Sequence, residues 1–480
     1  MKKTILILSV VIMFTNCAIY KKYSRPENIS TDQLYGNVEK ADTTTMADIS
    51  WREFFTDPYL QAYIEQGLSN NIDMHLAAER IAQAELALQS AKLAFIPSFS
   101  FEPQIGSSLD TKFSYALPIK ASWEIDIMAR NINAKRRAEV NAEYNRLYHR
   151  SVQTALVSAI ANNYYTLLMI DAQLRVSRAT SKSWKDNVRT MKAMKEAGMT
   201  NEAGISRTEA NSCSVDASVF DLELKLVQAQ NSFALLLGVT PQDFPRGELN
   251  GIDFKQELFI GVPAQLLARR PDVQQAEQEL KLAFYNTNIA HAELYPSLTI
   301  TGEGAFKGNP AAWALGFVGK LIQPIFNAGA NRANYKIAQS KQREAALNFQ
   351  YKLLEAGNEV NTYLAQCRAA RSKTELRIRQ VETLKRSVYS TRQLMSHSEA
   401  TYLEVLTAQQ ALLSAQLQQI SDRFEGIQGV INLYRALGGG VDSAFEPAID
   451  NNPIFRCEKR DQRRAERKAA KEAAKNENKQ

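Results

Sequence analysis

Two segments of this chain, about 200 residues apart, carry the same pattern: Phe95-Ile96-Pro97-Ser98-Phe99-Ser100-Phe101-Glu102 and Leu294-Tyr295-Pro296-Ser297-Leu298-Thr299-Ile300-Thr301. In each segment Pro-Ser precedes a run in which apolar and polar residues alternate, and such alternation predicts a β-strand. The same offset relates Leu237-Gly238 to Leu437-Gly438. The sequence therefore predicts two tandem repeats.

Proline positions indicate how each repeat is built. No proline occurs within residues 119–240 or within residues 325–446, and long helices are permitted there because proline breaks helix interiors. A second alternating or apolar segment lies at 113–117 and at 313–325. We predict that each repeat contains a helix, a β-hairpin, a very long helix, a break and a shorter helix. A helix over residues 126–197 would be roughly 105 Å long.

The predicted strands have a length that suits a membrane. Each is about ten residues long, which is enough to cross a bilayer when the strand is tilted. Four strands cannot close a barrel, and unpaired strand edges are not tolerated in lipid. If the strands lie in a membrane, several chains must share one barrel. The predicted fold class is mainly α with a membrane β-barrel.

The last predicted helix has a seam of residues that are spaced alternately three and four apart, which is typical of coiled-coil packing. Its members are Leu403, Leu406, Gln410, Leu413, Leu417, Ile420, Phe424, Ile427, Ile431 and Tyr434. Shifted by 200, the seam becomes Ala203, Ser206, Ala210, Cys213, Ala217, Phe220, Leu224, Val227, Asn231 and Ala234. On this pattern Cys213 is expected to be a small core residue.

Composition and motifs exclude several classes of protein. The 480 residues include 58 Lys and Arg and 51 Asp and Glu, and the basic excess lies in 1–16 and 456–480, so that the body is neutral. A neutral body argues against nucleic acid as a partner. The sequence has no P-loop, dinucleotide-binding fingerprint or nucleophile elbow, and its four histidines lack metal-site spacing. We expect no catalytic residue, no metal and no cofactor, and hence no enzyme.

The N-terminus has the pattern of an export signal. Met1-Lys2-Lys3 is followed by an apolar stretch from Ile5 to Phe14 and then by Cys17. The apolar stretch is too short to span a bilayer but suits a signal peptide. A cysteine at this place resembles a bacterial lipobox, and we predict that Cys17 is the lipid-attachment site. An ordinary cleaved signal, with a cysteine there by chance, is the alternative.

Several segments resemble the outer membrane factor family, the TolC-like channels of tripartite efflux pumps, and within it the lipoprotein branch (OprM-like and NodT-like). The matching segments are Trp51–Pro58, Ser122–Asp126, Leu266–Val273, Ala292–Ser297 and Thr401–Leu406. The resemblance implies a homotrimer in which twelve strands form one barrel and the helices form an α-barrel across the periplasm. It also implies a lipid-anchored protein of the outer membrane that works with a periplasmic adaptor and an inner-membrane RND-type pump.

The resemblance also divides the chain. The division is a signal peptide at 1–16, a lipid-anchored N-terminal segment with part of an equatorial belt at 17–60, repeat 1 at 61–240 with its hairpin at about 98–125, a belt linker at 241–262, repeat 2 at 263–440 with its hairpin at about 297–325, and a C-terminal belt segment with a charged tail at 441–480.

The implied function is a passive exit duct for small toxic compounds that is closed at its periplasmic end. Glu404 occupies the first acidic position that narrows this end in the family, so that three copies would form an acidic ring. Tyr402 and Thr407 complete the expected gate, although the family usually has Asp at the second position and Gly where this chain has Ser398. The adaptor-facing tips are expected at Gly198, Met199, Thr200, Ser398, Glu399, Ala400 and Thr401.

Two other functions remain open at this point. The first is the channel of a type I protein secretion system, against which the predicted lipidation and the Arg-Arg-Pro-Asp segment argue. The second is a periplasmic coiled-coil scaffold without a pore. A scaffold has no reason to keep two membrane-length strand pairs at matching offsets, so the hairpins favour the channel.

Overall fold

The computed structural model describes residues 23–26, 34, 45–106, 114–249, 266–308, 312–322, 328–397 and 401–441. These residues are mainly helical, and none of their helices is long and apolar enough to cross a membrane. The helices are α1 (Trp51–Phe54), α2 (Pro58–Asn70), α3 (Ile72–Leu93), α4 (Arg130–Glu196), α5 (Glu202–Leu237), α6 (Leu266–Arg269), α7 (Pro271–Ala292), α8 (Ala330–Ser396) and α9 (Tyr402–Ala436). The strands are β1 (Ser98–Phe101), β2 (Gln104–Gly106), β3 (Ser114–Ile125), β4 (Ser297–Gly308) and β5 (Ala312–Ile322).

Elements of matching length occur in the two halves of the chain. Helices α4 and α8 each have 67 residues, and α3 and α7 each have 22. At 1.5 Å per residue, the 67-residue helices are about 100 Å long. The predicted long helix at 126–197 begins slightly later, because the carboxylate of Asp126 accepts the backbone N–H groups of Asn131 at 3.0 Å and Ile132 at 2.8 Å. The domain boundaries given above stay a prediction.

The helices pack side by side as a wall. In the half next to the strands, the contacts give the order α3, α4, α7, α8, and in the distal half they give α5, α4, α9, α8. Helices α3 and α5 therefore lie along one edge of the wall and α8 along the other. Between the two halves lies an aromatic core in which Phe54 stacks on Tyr434, with ring centroids 4.1 Å apart, and Tyr63 contacts Phe233 edge-on at 5.1 Å.

The strands form one antiparallel sheet in the order β1-β3-β4-β5, with β2 also paired to β3. Because successive side chains of a strand point to opposite faces, the register decides what each face presents. One face carries apolar residues, namely Phe99, Phe101, Leu117, Ile119, Trp123, Leu298, Ile300, Phe306, Leu315, Phe317 and Leu321. The other face is mostly polar and carries Ser98, Ser100, Lys120, Ser122, Glu124, Thr299, Thr301, Glu303 and Lys320.

The seam predicted for the first repeat is not a core within this chain. Apart from Ala234, all its members on α5 are exposed, and the expectation that Cys213 is a core residue was wrong. The residues of α5 that are buried instead lie on another face of the helix and include Ile205, Thr208 and Val215. The physical reason is position: α5 lies at an edge of the wall and has no helix on its other side among the described residues.

Candidate functional site at the strand-distal ends of the helices

The turn between α4 and α5 is a Schellman motif. Gly198 has a φ of 73°, a left-handed conformation that glycine adopts without steric cost. The N–H of Gly198 donates to the carbonyl oxygen of Lys195 at 2.9 Å, and the N–H of Met199 donates to that of Met194 at 2.8 Å. These bonds satisfy carbonyls at the end of α4, so that the chain reverses there.

The predicted tip residues of the first turn lie at this reversal. Gly198 and Met199 are exposed, and the Met199 side chain is 67% accessible. In the second turn, exposed Thr401 directly precedes α9. The remaining predicted tip residues, Ser398, Glu399 and Ala400, lie outside the described residues, as does the predicted lipid-attachment residue Cys17.

The predicted gate residues differ in their surroundings. Tyr402 is half-buried, its hydroxyl donates to the backbone oxygen of Asn187 on α4 at 3.4 Å, and burial raises the pKa of Tyr402 to about 12. Glu404 is exposed, and its carboxylate accepts the hydroxyl of Thr401 at 3.1 Å. Thr407 is exposed one turn further along, but its hydroxyl donates to the carbonyl oxygen of Leu403 at 2.9 Å. The charge of Glu404 is therefore exposed to solvent, whereas the hydroxyl of Thr407 donates its hydrogen bond within α9.

A small apolar cluster holds the beginning of α9 against the rest of the wall. Its centre is Trp184 of α4, which is fully buried, with Val215 of α5 and Leu406 and Leu413 of α9. Tyr402 packs against the same cluster. The position of the exposed gate residues thus depends on how α9 packs on α4.

Different chemistry joins different pairs of helices. Ion pairs join α4 to α5, namely Lys185 with Asp216 at 3.2 Å, Lys192 with Glu209 at 2.8 Å and Arg178 with Glu223 at 2.7 Å. Ion pairs also join α8 to α9, namely Arg377 with Asp422 at 2.8 Å and Lys373 with Glu425 at 2.9 Å. Uncharged side chains form the hydrogen bonds between α4 and α9: Asn187 with Gln409 at 2.7 Å, Gln173 with Ser421 at 3.1 Å and Asn162 with Asn432 at 3.0 Å.

Sequence reasoning missed Asn187, Trp184 and Gln409. Asn187 and Gln409 are 222 positions apart, and no spacing rule along the chain connects residues of two helices from different halves. The polar residue of the predicted seam, Gln410, is the exposed neighbour of Gln409. In the described parts of the chain, no group of three or more His, Cys, Asp or Glu residues could hold a metal ion.

The N-terminal segment that precedes the helices lies along α7. The guanidinium of Arg25 donates to both carboxylate oxygens of Glu277, at 3.0 and 2.7 Å. Two residues earlier, the ring of Tyr23 meets Phe284 edge-on at 5.7 Å. Because Phe284 is nearer than Glu277 to the end of α7 that leads into β4, the segment runs along α7 away from the strands.

Comparison with known proteins places these features in a family. The sequence pattern of the outer membrane efflux protein family matches residues 63–239 and again 262–439. The chain belongs to this family. The match confirms the resemblance to outer membrane factors, and the family assigns the protein to efflux at the outer membrane.

Relatives match over nearly their whole length. The probable outer membrane lipoprotein SilC of Salmonella typhimurium is 26% identical over 92% of this chain and 99% of its own, and the cation efflux system protein CusC of Escherichia coli K12 is 26% identical over 90% and 98%. The toluene efflux pump outer membrane protein TtgC of Pseudomonas putida is 28% identical over 92% and 96%.

Solved structures share the fold. A crystal structure of CusC aligns with a TM-score of 0.78 at 24% identity, over 88% of this chain and 100% of that one. The open-state MtrE outer membrane channel of Neisseria gonorrhoeae aligns with a TM-score of 0.79 at 22% identity, over 89% of this chain and 99% of that one.

Proposed function

We propose that this family member is the outer-membrane duct of a tripartite, RND-type efflux system, through which small toxic compounds leave the cell passively. The proposal rests on the β-sheet, which has one apolar and one mostly polar face. An apolar face and a polar face on one antiparallel sheet are what the wall of an outer-membrane barrel requires. The helical wall of about 100 Å that continues from the sheet suits a duct across the periplasm.

The edges of the sheet and of the wall support a shared barrel made by three copies of the chain. Strands β1 and β5 are the outer strands of the described sheet, and open edges are not tolerated in lipid. The exposed edge of α5 carries Phe220, Leu224 and Val227, and the exposed edge of α8 carries Leu376 and Ile378. In a single chain each edge is an apolar strip that is exposed to water. In a trimer the α8 edge of one copy can pack against the α5 edge of the next and bury both strips.

Charge favours the same pairing of edges. Helix α5 has five acidic and two basic residues, whereas residues 368–392 of α8 have eight basic and two acidic ones. Opposite net charges on two surfaces favour their association and disfavour contact between like edges. The α5 edge of one copy is therefore expected to meet the α8 edge of the next copy rather than another α5.

Contacts within the chain show which residues of the α5 and α8 edges lie at the same height along the wall. Ser421 contacts Gln173 of α4 while its neighbour Asp422 contacts Arg377 of α8, so Gln173 and Arg377 are level. Arg178, five residues further along α4, pairs with Glu223 of α5. Counted from these contacts, Val227 of α5 and Ile378 of α8 lie at about the same height. Rotation about a threefold axis along the wall would bring them together.

Cross-linking tests this arrangement. In a background with Cys213→Ser and Cys457→Ser, Val227→Cys combined with Ile378→Cys is expected to give a ladder that ends at three chains with a short bismaleimide. Each single variant should give at most dimers. The matched control pairs Val227→Cys with Ile337→Cys, an exposed α8 residue near the strands that should not react with it. A ladder that stops at two chains, or that continues beyond three, would contradict the shared barrel.

The N-terminal segment supports lipid anchoring at Cys17. Tyr23 lies six positions after Cys17, and an extended chain of this length spans about 20 Å. From Phe284, the partner of Tyr23, to the end of α7 at Ala292 is about 12 Å. The segment is therefore long enough for a lipid on Cys17 to reach the level at which β4 begins. A mass shift that matches acylation, and that Cys17→Ser abolishes, is the expected result.

We propose that the distal end is the gate and the docking end. An exposed Glu404 in three copies would give an acidic constriction that favours cations, and the tips at 198–200 and 398–401 would meet the adaptor. Glu404→Ala is expected to raise single-channel conductance and the leak of antibiotics into the cell. Glu344→Ala is the matched control, because it makes the same change at an exposed residue of α8 that lies far from the gate. Equal conductance and equal antibiotic sensitivity in both variants would remove Glu404 from the gate.

A further inference from the structure

We propose that the turn between α4 and α5 carries a binding site for a soft monovalent metal ion, Cu(I) or Ag(I), formed by the thioethers of Met191, Met194 and Met199. The site lies at the end of the wall that is proposed to be the entrance of the duct. Its role in delivering cations to the duct rests on the proposed function, whereas metal binding itself does not.

Methionine is concentrated at this end of the molecule. The chain has 10 methionines among 480 residues, and three of them lie within nine residues of each other at the first turn. A fourth, Met395, is the penultimate residue of α8, where the other long helix ends. The mechanism proposed for the gate uses none of these side chains.

The backbone brings the three methionines to one turn of the chain. Met191 and Met194 are three residues apart on α4 and so are neighbours on the helix surface. The N–H of Met199 donates to the carbonyl oxygen of Met194 at 2.8 Å, which fixes Met199 over the last turn of α4. A Cβ built on Gly204 would lie 2.9 Å from the terminal methyl of Met191 and 2.9 Å from the hydroxyl oxygen of Thr200. The Met191 side chain thus reaches across the turn to the beginning of α5.

Ordinary packing explains only part of this arrangement. A Schellman motif is often accompanied by an apolar contact between the positions that Met194 and Met199 occupy. Such a contact buries both side chains, but 67% of the Met199 side chain is exposed. Leucine would serve a purely apolar contact equally well. Met191 is buried, with 2% of its surface exposed, and Met199 lies in water. Three unbranched thioethers that extend from buried to exposed can bind one ion, because their flexible side chains would let the sulfur atoms converge.

The ligand chemistry selects the ion. Thioether sulfur is a soft, uncharged donor that favours Cu(I) over hard cations such as Mg²⁺ and Ca²⁺. Ag(I) is a monovalent ion of the same soft class. The exposed thiol of Cys213 is a competing soft donor on α5, so it must be removed before the thioethers are tested.

The experiment uses the full chain, purified from the outer-membrane fraction, with Cys213→Ser and Cys457→Ser as the background. Cu(I) affinity is measured without oxygen by calorimetric titration with the acetonitrile complex of Cu(I), and bound Ag(I) is measured by mass spectrometry after dialysis. We expect about one ion per chain. Met191→Leu and Met199→Leu should each weaken binding about tenfold or more, and these substitutions nearly conserve volume, so the fold should be kept. Met169→Leu on the same helix is the control and should change nothing.

Two results would overturn the site. One is unchanged affinity when Met191, Met194 and Met199 are all replaced by Leu. The other is loss of binding through Cys213→Ser alone, which would assign the metal to a thiolate. Single-channel conductance of the same samples tests the proposed duct independently of the metal site. A protein that conducts ions but retains no Cu(I) would contradict the metal site and still support the duct.

Discussion

Helices α5 and α9 follow the same three-and-four spacing but meet different neighbours. On α9 the seam residues Leu413, Ile427 and Ile431 are buried within the chain, because α9 lies between α4 and α8. On α5 the corresponding residues Cys213 and Val227 are exposed, because α5 lies at the edge of the wall. The spacing therefore shows which face of a helix is apolar but does not show whether its partner belongs to the same chain.

The largest expected difference concerns the two seams themselves. Ile427→Glu places a charge at a position that is 6% exposed and should cost at least about 4 kcal/mol in free energy of unfolding. Leu224→Glu, at an exposed position, should change the stability of the single chain by about 0.5 kcal/mol or less but should prevent trimers. Circular dichroism and light scattering distinguish the two results. A trimer that tolerates Leu224→Glu would contradict a second copy as the partner of α5.

The next difference concerns the ion pairs. The side chain of Asp422 is 1% exposed and pairs with Arg377, whereas that of Asp216 on α5 is 32% exposed and pairs with Lys185. Asp422→Ala removes the ion-pair partner of Arg377, which keeps its hydrogen bond to Gln380, and should cost about 2 kcal/mol in free energy of unfolding. Asp216→Ala should cost about 1 kcal/mol or less. Urea unfolding of both variants tests this, and equal losses would show that burial does not distinguish the two pairs.

Low pH should reduce the contribution of the same residue, Asp422, to the free energy of unfolding. Burial raises the pKa of the Asp422 carboxyl, but the hydrogen bonds from Arg377 and Gln418 outweigh burial and hold the pKa below its ordinary value. A carboxyl with a lowered pKa stabilises the folded chain above its unfolded pKa of about 4. This contribution is lost as the pH falls through the lower folded pKa. Asp422→Asn should therefore flatten the dependence of stability on pH below about pH 4.

A smaller effect is expected where α9 meets α4. Asn187→Ala removes one neutral hydrogen bond between these helices, worth about 1 kcal/mol, and should raise the ratio of open to closed channels about fivefold. Lys185→Ala removes an ion pair between α4 and α5 and is the control, because those helices are not expected to separate. Single-channel recording measures the open fraction. An equal change in both variants would mean that the gate does not lie between α4 and α9.

These regions show which features of the fold and the site could be predicted from the sequence. Proline-free spans and alternating segments predicted the long helices and the strands, because proline and side-chain periodicity act locally. The exposure of Glu404 could also be predicted, because a charged residue on an amphipathic helix faces solvent. The pairing of Asn187 with Gln409 could not be predicted, since it depends on how two distant helices align. The exposure of Cys213 could not be predicted either, because repeat symmetry does not reveal which helix lies at an edge.

The most local expected effect compares residue 198 with residue 398. Gly198 has a φ of 73°, and the chain has Ser398 two hundred positions later. Gly198→Ser gives position 198 the residue found at position 398 and should cost about 1 kcal/mol, because a side chain in the left-handed region strains the backbone. The cost should be local, so hydrogen exchange at the Met199 amide should accelerate about fivefold while the exchange of core amides stays the same. No change at Met199 would mean that the Schellman bonds do not depend on glycine.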